Sequence, residues 1–208
     1  MRRFMYVLVV VAVLACCATL ALADDLVSPP WNRGDIGTTR ERWEFTTQQQ
    51  VTPDDADNPY GTATASFAGD TWYNYHDNRS GVWRMSGTNP ELDFIVPNAL
   101  GGFRKDIQLQ LTWTPTAEIN SVVVMCNGVL GTLYKEQGVD PSPWLHSTWR
   151  LSIFPNPNIE TIRIIGDGTF YVDEVVIDTH CIPEPSSLLA LASGVFGLAG
   201  LAWRKRRP

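Results

Sequence analysis

Asp106-Ile107-Gln108-Leu109-Gln110-Leu111-Thr112-Trp113 is the stretch of this 208-residue chain that shows most directly how it folds. Its apolar residues alternate with polar ones, and a β-strand is the element that places every second side chain on one face of a sheet. We therefore predict a strand with an apolar face turned towards a core and a polar face turned towards water.

Other segments of the chain share the short length and the β-branched or aromatic content of strands. They are residues 40–45, 62–67, 81–86, 91–96, 121–126, 144–154, 159–165 and 169–177. The last two flank Gly166-Asp167-Gly168, a connection that predicts a hairpin. Pro and Gly interrupt the intervals, residues 48–60 are expected to form a loop, and the leader 24–39 is expected to be partly extended. About eight to ten short strands predict an all-β domain, an antiparallel β-sandwich of jelly-roll type.

Charge is distributed unevenly along the chain. The formal net charge is -6, but residues 24–182 hold 10 basic and 21 acidic residues. Nucleic-acid binding needs Lys and Arg against the phosphates, so we expect no nucleic-acid partner. The remaining basic residues lie at the two ends: Arg2, Arg3, Arg204, Lys205, Arg206 and Arg207.

Residues 1–23 have the three parts of a secretory signal peptide: a basic start, an apolar stretch and a closing run of small residues. The run ends in Ala21-Leu22-Ala23, which predicts cleavage before Asp24. Two alternatives stay open, an uncleaved membrane anchor and lipidation at Cys16. With cleavage before Asp24, the exported domain is expected to span residues 24–182.

Residues 183–208 form a second patterned end. Pro183-Glu184-Pro185 is followed by the uncharged stretch 187–203 and then by Arg204-Lys205-Arg206-Arg207. As a helix, the uncharged stretch would be about 25 Å long, at the short end of what spans a bilayer. The positive-inside rule keeps the basic tail cytoplasmic and places residues 24–182 outside the cytoplasmic membrane.

This C-terminal arrangement resembles the PEP-CTERM sorting signal of Gram-negative bacteria. The resemblance implies an exosortase, a membrane cysteine protease-transpeptidase, as a partner. It also implies processing near Pro183-Glu184-Pro185 and delivery to the cell envelope, the cell surface or the extracellular matrix. The helix would then meet the membrane in transit, although a permanent tail anchor would fit the helix alone equally well.

A second resemblance concerns the closing strand, Phe170-Tyr171-Val172-Asp173-Glu174-Val175-Val176-Ile177-Asp178. It is similar to the last strand of jelly-roll carbohydrate-binding modules and galactose-binding-like domains. By that analogy, Asp173 and Glu44 are candidates for a structural Ca²⁺ site. No motif points to any other cofactor.

The exported domain has two cysteines, Cys126 and Cys181. An even pair outside the cytoplasm is expected to oxidise where the geometry allows, so we predict a disulfide, with two free thiols as the alternative.

Four aromatic residues are candidates for ligand binding: Trp72, Tyr73, Tyr75 and Trp83. Flat rings bordered by amides suit sugar recognition, but Trp and Tyr also fill sandwich cores. We find no catalytic motif, so we expect that the protein itself is not an enzyme. The sequence thus favours an exported protein with a structural or matrix-associated role. The alternatives are a carbohydrate-binding module acting on exopolysaccharide and a secreted hydrolase.

Overall fold

The computed structural model describes residues 25–67, 71–99, 101–116, 122–183, 190 and 193. Several predicted features lie outside these residues: the signal peptide 1–23 with its cleavage site at Ala21, Ala23 and Asp24, Glu184 and Pro185 of the tripeptide, nearly all of the helix 187–203, and the basic tail 204–207. None of the described residues belongs to a helix with the length and apolar character needed to cross a membrane.

The described part of the exported domain consists of strands joined by short loops. The thirteen strands within it are β1 Thr38–Trp43, β2 Asp55–Asp57, β3 Thr64–Phe67, β4 Thr71–His76, β5 Arg79–Met85, β6 Glu91–Pro97, β7 Arg104–Pro115, β8 Val122–Cys126, β9 Val129–Leu130, β10 Thr132–Gly138, β11 Leu145–Ile153, β12 Ile159–Gly166 and β13 Phe170–Ile182.

These strands form two antiparallel sheets, as the alternating pattern predicts. The larger sheet has eight strands with the order β10-β11-β7-β13-β1-β2, and β5 pairs with both β13 and β4. The smaller sheet has five strands with the order β3-β6-β12-β8-β9. The prediction of an all-β fold is therefore confirmed, and the two sheets are those of a β-sandwich.

Apolar side chains from both sheets build one core. Trp43 of β1 meets Phe94 of β6 edge to face, with 4.8 Å between the ring centroids. Leu109 of β7 and Ile162 of β12 are fully buried in the same cluster. Burial of this apolar surface is the main favourable term in folding, and it holds the two sheets face to face.

The predicted hairpin between 159–165 and 169–177 is wrong. Both strands exist, but β12 pairs with β6 and β8 in the smaller sheet, whereas β13 pairs with β1, β5 and β7 in the larger one. Gly168 has a positive φ of 98° in the connection, which crosses from one sheet to the other. Alternation fixes which side chains face inward, but it does not choose a strand's neighbour.

The predicted wet face of β7 is also wrong. Gln108, Gln110 and Thr112 are at most 1 % exposed. The leader covers the two glutamines: the Val27 amide donates to Gln110 Oε1 at 2.8 Å, and Gln108 Nε2 donates to the Val27 carbonyl at 2.6 Å. Each buried amide therefore has a partner, as burial requires.

Arg33 fixes this leader to the larger sheet. Its guanidinium donates to both oxygens of Asp178, at 2.6 and 2.7 Å, and to both oxygens of Asp25, at 2.5 and 2.9 Å. Burial raises the pKa of Asp178, against the effect of Arg33. Burial also tends to raise the pKa of Asp25. The hydrogen bonds that Asp25 accepts from Arg33 and Gln110 have the larger combined effect, so its pKa is lowered.

β2 and β10 are among the strands that lie outside the predicted segments. β2 falls inside the predicted loop 48–60 and pairs with β1. β10 is an edge strand whose side chains are almost all exposed, and a bulge shifts its register between Leu133 and Lys135. Because neither strand has a buried face, neither has the alternation from which strands are predicted.

Candidate functional site

Two of the four candidate aromatic residues belong to the core. Trp72 and Trp83 are cross-strand partners on β4 and β5. Trp83 is 6 % exposed and stacks on Phe67 with 4.7 Å between the ring centroids. Trp72 packs against the same core, and its Nε1 donates to the Phe45 carbonyl at 2.9 Å. Both rings thus fill the sandwich.

The other two candidates lie on the outer side of β4. Tyr73 contacts His76 and Tyr171, and the His76 and Tyr171 rings stack with 4.0 Å between their centroids. Tyr75 is 63 % exposed, and its hydroxyl donates to Asn78 at 3.0 Å. The structure therefore adds His76 and Tyr171 to the predicted aromatics on this surface, while it turns the two tryptophans inward.

The candidate Ca²⁺ ligands each face an arginine. Asp173 accepts from Arg79 Nη1 at 2.5 Å, and Glu44 is ion-paired with Arg42, whose Nε also donates to Glu174 at 2.7 Å. In the described ranges, no group of three or more His, Cys, Asp or Glu is placed to hold a metal ion. A cation here would have to displace these guanidinium groups.

The last strand leads directly into the C-terminal pattern. β13 pairs along its length with β7 and ends at Ile182, one residue before Pro183. Residues 182–207 match the PEP-CTERM protein-sorting motif. The chain carries a PEP-CTERM sorting signal. A search of curated proteins finds none that matches the chain.

The PEP-CTERM signal identifies the chain as a protein that an exosortase, a membrane enzyme, sorts to the cell surface or the extracellular matrix. The residues predicted to carry the sorting signal lie within this matched range: Pro183, Glu184, Pro185, Arg204, Lys205, Arg206 and Arg207. Of these, Pro183 alone lies among the described residues. The motif covers the end of the chain and does not explain what the exported domain does.

Both cysteines of the exported domain are buried free thiols in the structure, so the expected disulfide is not formed in it. Cys126 ends β8 in the smaller sheet, whereas Cys181 lies on β13 in the larger one. Cys126 Sγ contacts Asn127 Oδ1 at 3.2 Å, and burial raises its pKa. Cys181 Sγ donates to Asn98 Oδ1 at 2.8 Å. Each thiol therefore has its own polar partner.

Cys181 belongs to a buried polar group between the sheets, which we call the Lys105 cluster: Glu41, Asn98, Lys105, Glu160 and Cys181. Lys105 Nζ donates to Asn98 Oδ1 at 2.7 Å and to Cys181 Sγ at 3.2 Å, and it lies 3.1 Å from Glu160 Oε1. Lys105, Glu41 and Glu160 are fully buried. Charged side chains are rarely buried so completely, and here a lysine and two carboxyl groups share one site.

The two carboxyl groups of the cluster hold their protons unusually strongly. Burial raises the pKa of Glu41 to about 8 and that of Glu160 to about 7. Glu41 accepts hydrogen bonds from Asn58 Nδ2 at 2.6 Å and from Thr39 Oγ1 at 3.3 Å. Carboxyl groups with pKa values raised in this way are found preferentially at functional sites.

The sequence contains a signal for this cluster that motif analysis does not detect. Lys105 shares the inward face of β7 with Ile107 and Leu109, and Glu160 shares that of β12 with Ile162 and Ile164. Since every second residue of a strand faces the same side, the apolar positions already place both charges in the core.

Proposed function

We propose that the protein is an exosortase-sorted cargo whose exported domain has a structural or matrix-associated role, without catalysis, in the envelope or extracellular matrix of a Gram-negative-type bacterium. The observation that carries this proposal is the match of residues 182–207 to the PEP-CTERM sorting motif, directly after the last strand of the sandwich. In this proposal residues 1–23 are removed on export and the C-terminal signal is removed by the exosortase.

The histidines of the exported domain support a role without catalysis. His76 stacks on Tyr171, His180 packs 5.6 Å from Trp31, and His146 lies 3.1 Å from Gln110 Oε1. General acid-base and nucleophilic mechanisms need a base that reaches a substrate, whereas these rings are occupied with packing or with buried hydrogen bonds.

Sorting is tested in the native host with a variant that replaces Pro183-Glu184-Pro185 by three alanines. We expect the wild type on the cell surface or in the matrix, shortened at its C-terminus, and the variant retained in the membrane fraction at greater length. The matched control replaces the exposed residues Thr47-Gln48-Gln49 by alanines and is expected to sort normally. Normal sorting of the first variant would refute the proposal.

Polysaccharide binding is a second candidate, favoured by one specific observation. Tyr75, which is exposed, and His76, whose ring stacks on Tyr171, lie at the end of β4, and a cavity of 340 Å³ is lined by residues 138–140 and 142–145. A hydrogen bond connects the cavity to the end of β4: Trp144 Nε1, in the cavity wall, donates to the carbonyl of Asp77, the residue after β4, at 3.0 Å. Aromatic rings at the edge of a cleft suit the apolar faces of sugars.

Affinity electrophoresis against a panel of polysaccharides separates the two candidates. Binding predicts retardation that Tyr75→Ala abolishes and that Tyr134→Ala, a similarly exposed tyrosine on β10, leaves unchanged. Trp72→Ala is unsuitable because that ring packs in the core. Absence of retardation and of released reducing sugar favours the structural role over both a binding module and a hydrolase.

A further inference from the structure

The Lys105 cluster places an amine against an amide inside the core. Asn98 Oδ1 accepts one hydrogen bond from Lys105 Nζ at 2.7 Å and a second from Cys181 Sγ at 2.8 Å. Nζ leaves this oxygen if it attacks the amide carbon, so the donor that remains is Cys181 Sγ. This thiol withdraws electrons from the carbon and stabilises negative charge on the oxygen, as a donor of an oxyanion hole does. Asn98 Cγ is thereby made a better electrophile, and the amine nearest to it is Nζ.

The nitrogen side of the same amide is also fixed. Asn98 Nδ2 donates to Asn156 Oδ1 and to the Pro157 carbonyl, each at 2.6 Å. These bonds set the amide orientation, with oxygen towards Lys105 and nitrogen away from it. Two reacting groups that the fold holds in contact and in one orientation do not lose further translational and rotational entropy when they react. Their effective concentration is therefore higher by orders of magnitude.

Glu160 supplies the proton acceptor that such a reaction needs. Its Oε1 lies 3.1 Å from Lys105 Nζ, close enough for a direct proton transfer between the two groups. Moving one proton from Nζ to this carboxylate replaces two buried charges by two neutral groups, which a low-dielectric site favours. Glu160 therefore converts the ammonium into an amine with a free lone pair.

We propose that Lys105 and Asn98 form an intramolecular isopeptide bond, with Glu160 as the group that moves the protons. Nζ gives one proton to Glu160, and its lone pair attacks Asn98 Cγ. The Nζ–Cγ bond forms, the Cγ–Nδ2 bond breaks, and Nδ2 takes the second proton of Nζ and leaves as ammonia. Ammonia then takes the proton from Glu160, so the products are a secondary amide, a carboxylate and an ammonium ion, with no oxidant or reductant involved.

The cross-link has a structural consequence in this fold. Asn98 follows β6 of the smaller sheet, and Lys105 lies on β7 of the larger sheet, seven residues further along the chain. The bond therefore ties the two sheets together at one end of the sandwich. The bond involves residues of the exported domain alone, so it can form whether or not an exosortase sorts the chain.

A peptide map of the folded full-length protein tests the bond. Trypsin does not cut after an acylated lysine, so we expect peptide 85–104 covalently joined to peptide 105–135. The joined species is lighter than its unlinked counterpart by one ammonia, about 17 Da. A succinimide at Asn98 would give the same mass loss but would leave Lys105 open to trypsin. Complete cleavage after Lys105, with peptide 85–104 at its unmodified mass, would overturn the proposal.

Variants assign the roles of the three side chains. Lys105→Arg and Glu160→Gln keep the size of each side chain, and we expect both to abolish the joined peptides. Asn98→Asp is expected to link with loss of water in place of ammonia. Lys135→Arg is the control, because this lysine lies on the exposed edge strand β10, and the link should persist in it. A link that survives in Glu160→Gln would refute the role of Glu160.

Discussion

The protonated state of Glu41 makes the stability of the domain depend on pH. Its side chain is fully buried, and burial raises its pKa from 4.5 to about 8. Below 4.5 the group is protonated in the folded and the unfolded chain alike. Between these two values the unfolded chain ionises while the folded chain keeps the proton, so the free energy of unfolding falls as pH rises.

The expected magnitude follows from the size of this shift. Each pH unit between the two pKa values lowers the free energy of unfolding by about 1.4 kcal/mol, and the curve flattens near its ends. From about pH 5 to about pH 8 the wild type should lose about 3 kcal/mol through Glu41. Glu41→Gln keeps the shape of the side chain, and its amide cannot ionise, so this loss should disappear.

Denaturant unfolding at a series of pH values measures the effect. The informative quantity is the difference in free energy of unfolding between Glu41→Gln and the wild type, because every ionisable group outside the Lys105 cluster titrates in both proteins and cancels. We expect this difference to grow in favour of the variant as pH rises. Gln48→Ala, at an exposed position, removes no ionisable group and is the control, so its difference should not vary with pH. A constant difference for Glu41→Gln would refute the reasoning.

Two further substitutions test the packing. Arg33→Ala leaves the fully buried Asp178 without its guanidinium partner and should lower the free energy of unfolding, measured by denaturant titration, by about 2 kcal/mol. Arg163→Ala removes an exposed ion pair and should lower it by less than about 1 kcal/mol. Gly81→Ala should cost about 2 kcal/mol or more, because φ is +76° and a Cβ would lie 2.5 Å from a backbone oxygen. Gly87→Ala also has a positive φ but nothing within 4 Å, so its melting temperature should fall less; equal effects at the two glycines would contradict the steric argument.

Strand existence could be predicted because it depends on local alternation. Ile107, Leu109 and Leu111 indicate β7, and the core they enter is the one the structure contains. Strand partners could not be predicted, because pairing is a long-range choice. The segments around Gly168 look like a hairpin in sequence, yet they belong to different sheets.

Burial of the outer face of β7 depends on contacts that no periodicity encodes. Gln108 and Gln110 are typical of a solvent-exposed sheet face. In the structure the leader covers them, and Val27 forms hydrogen bonds with both side chains. Solvent exposure of a sheet face is therefore a property of the whole chain and not of the strand that carries it.

The Lys105 cluster could be predicted from the sequence only in part. No motif contains its residues, but Lys105 and Glu160 each occupy an inward position of a strand that the sequence predicts correctly. Their contact with each other and with Asn98 requires the pairing of strands into two facing sheets. Local pattern could thus identify buried charges but not their partners.

In the function proposed above, this sandwich is a cargo that leaves the cytoplasm and loses both of its ends. The most direct measurement is the intact mass of the protein recovered from the surface and matrix fractions of its native host, with and without an active exosortase. We predict the loss of about 23 residues at the N-terminus and about 20 to 25 at the C-terminus, with the C-terminal loss abolished in the exosortase-deficient strain. Recovery of the full-length chain from the cytoplasm of the wild-type host would contradict the account.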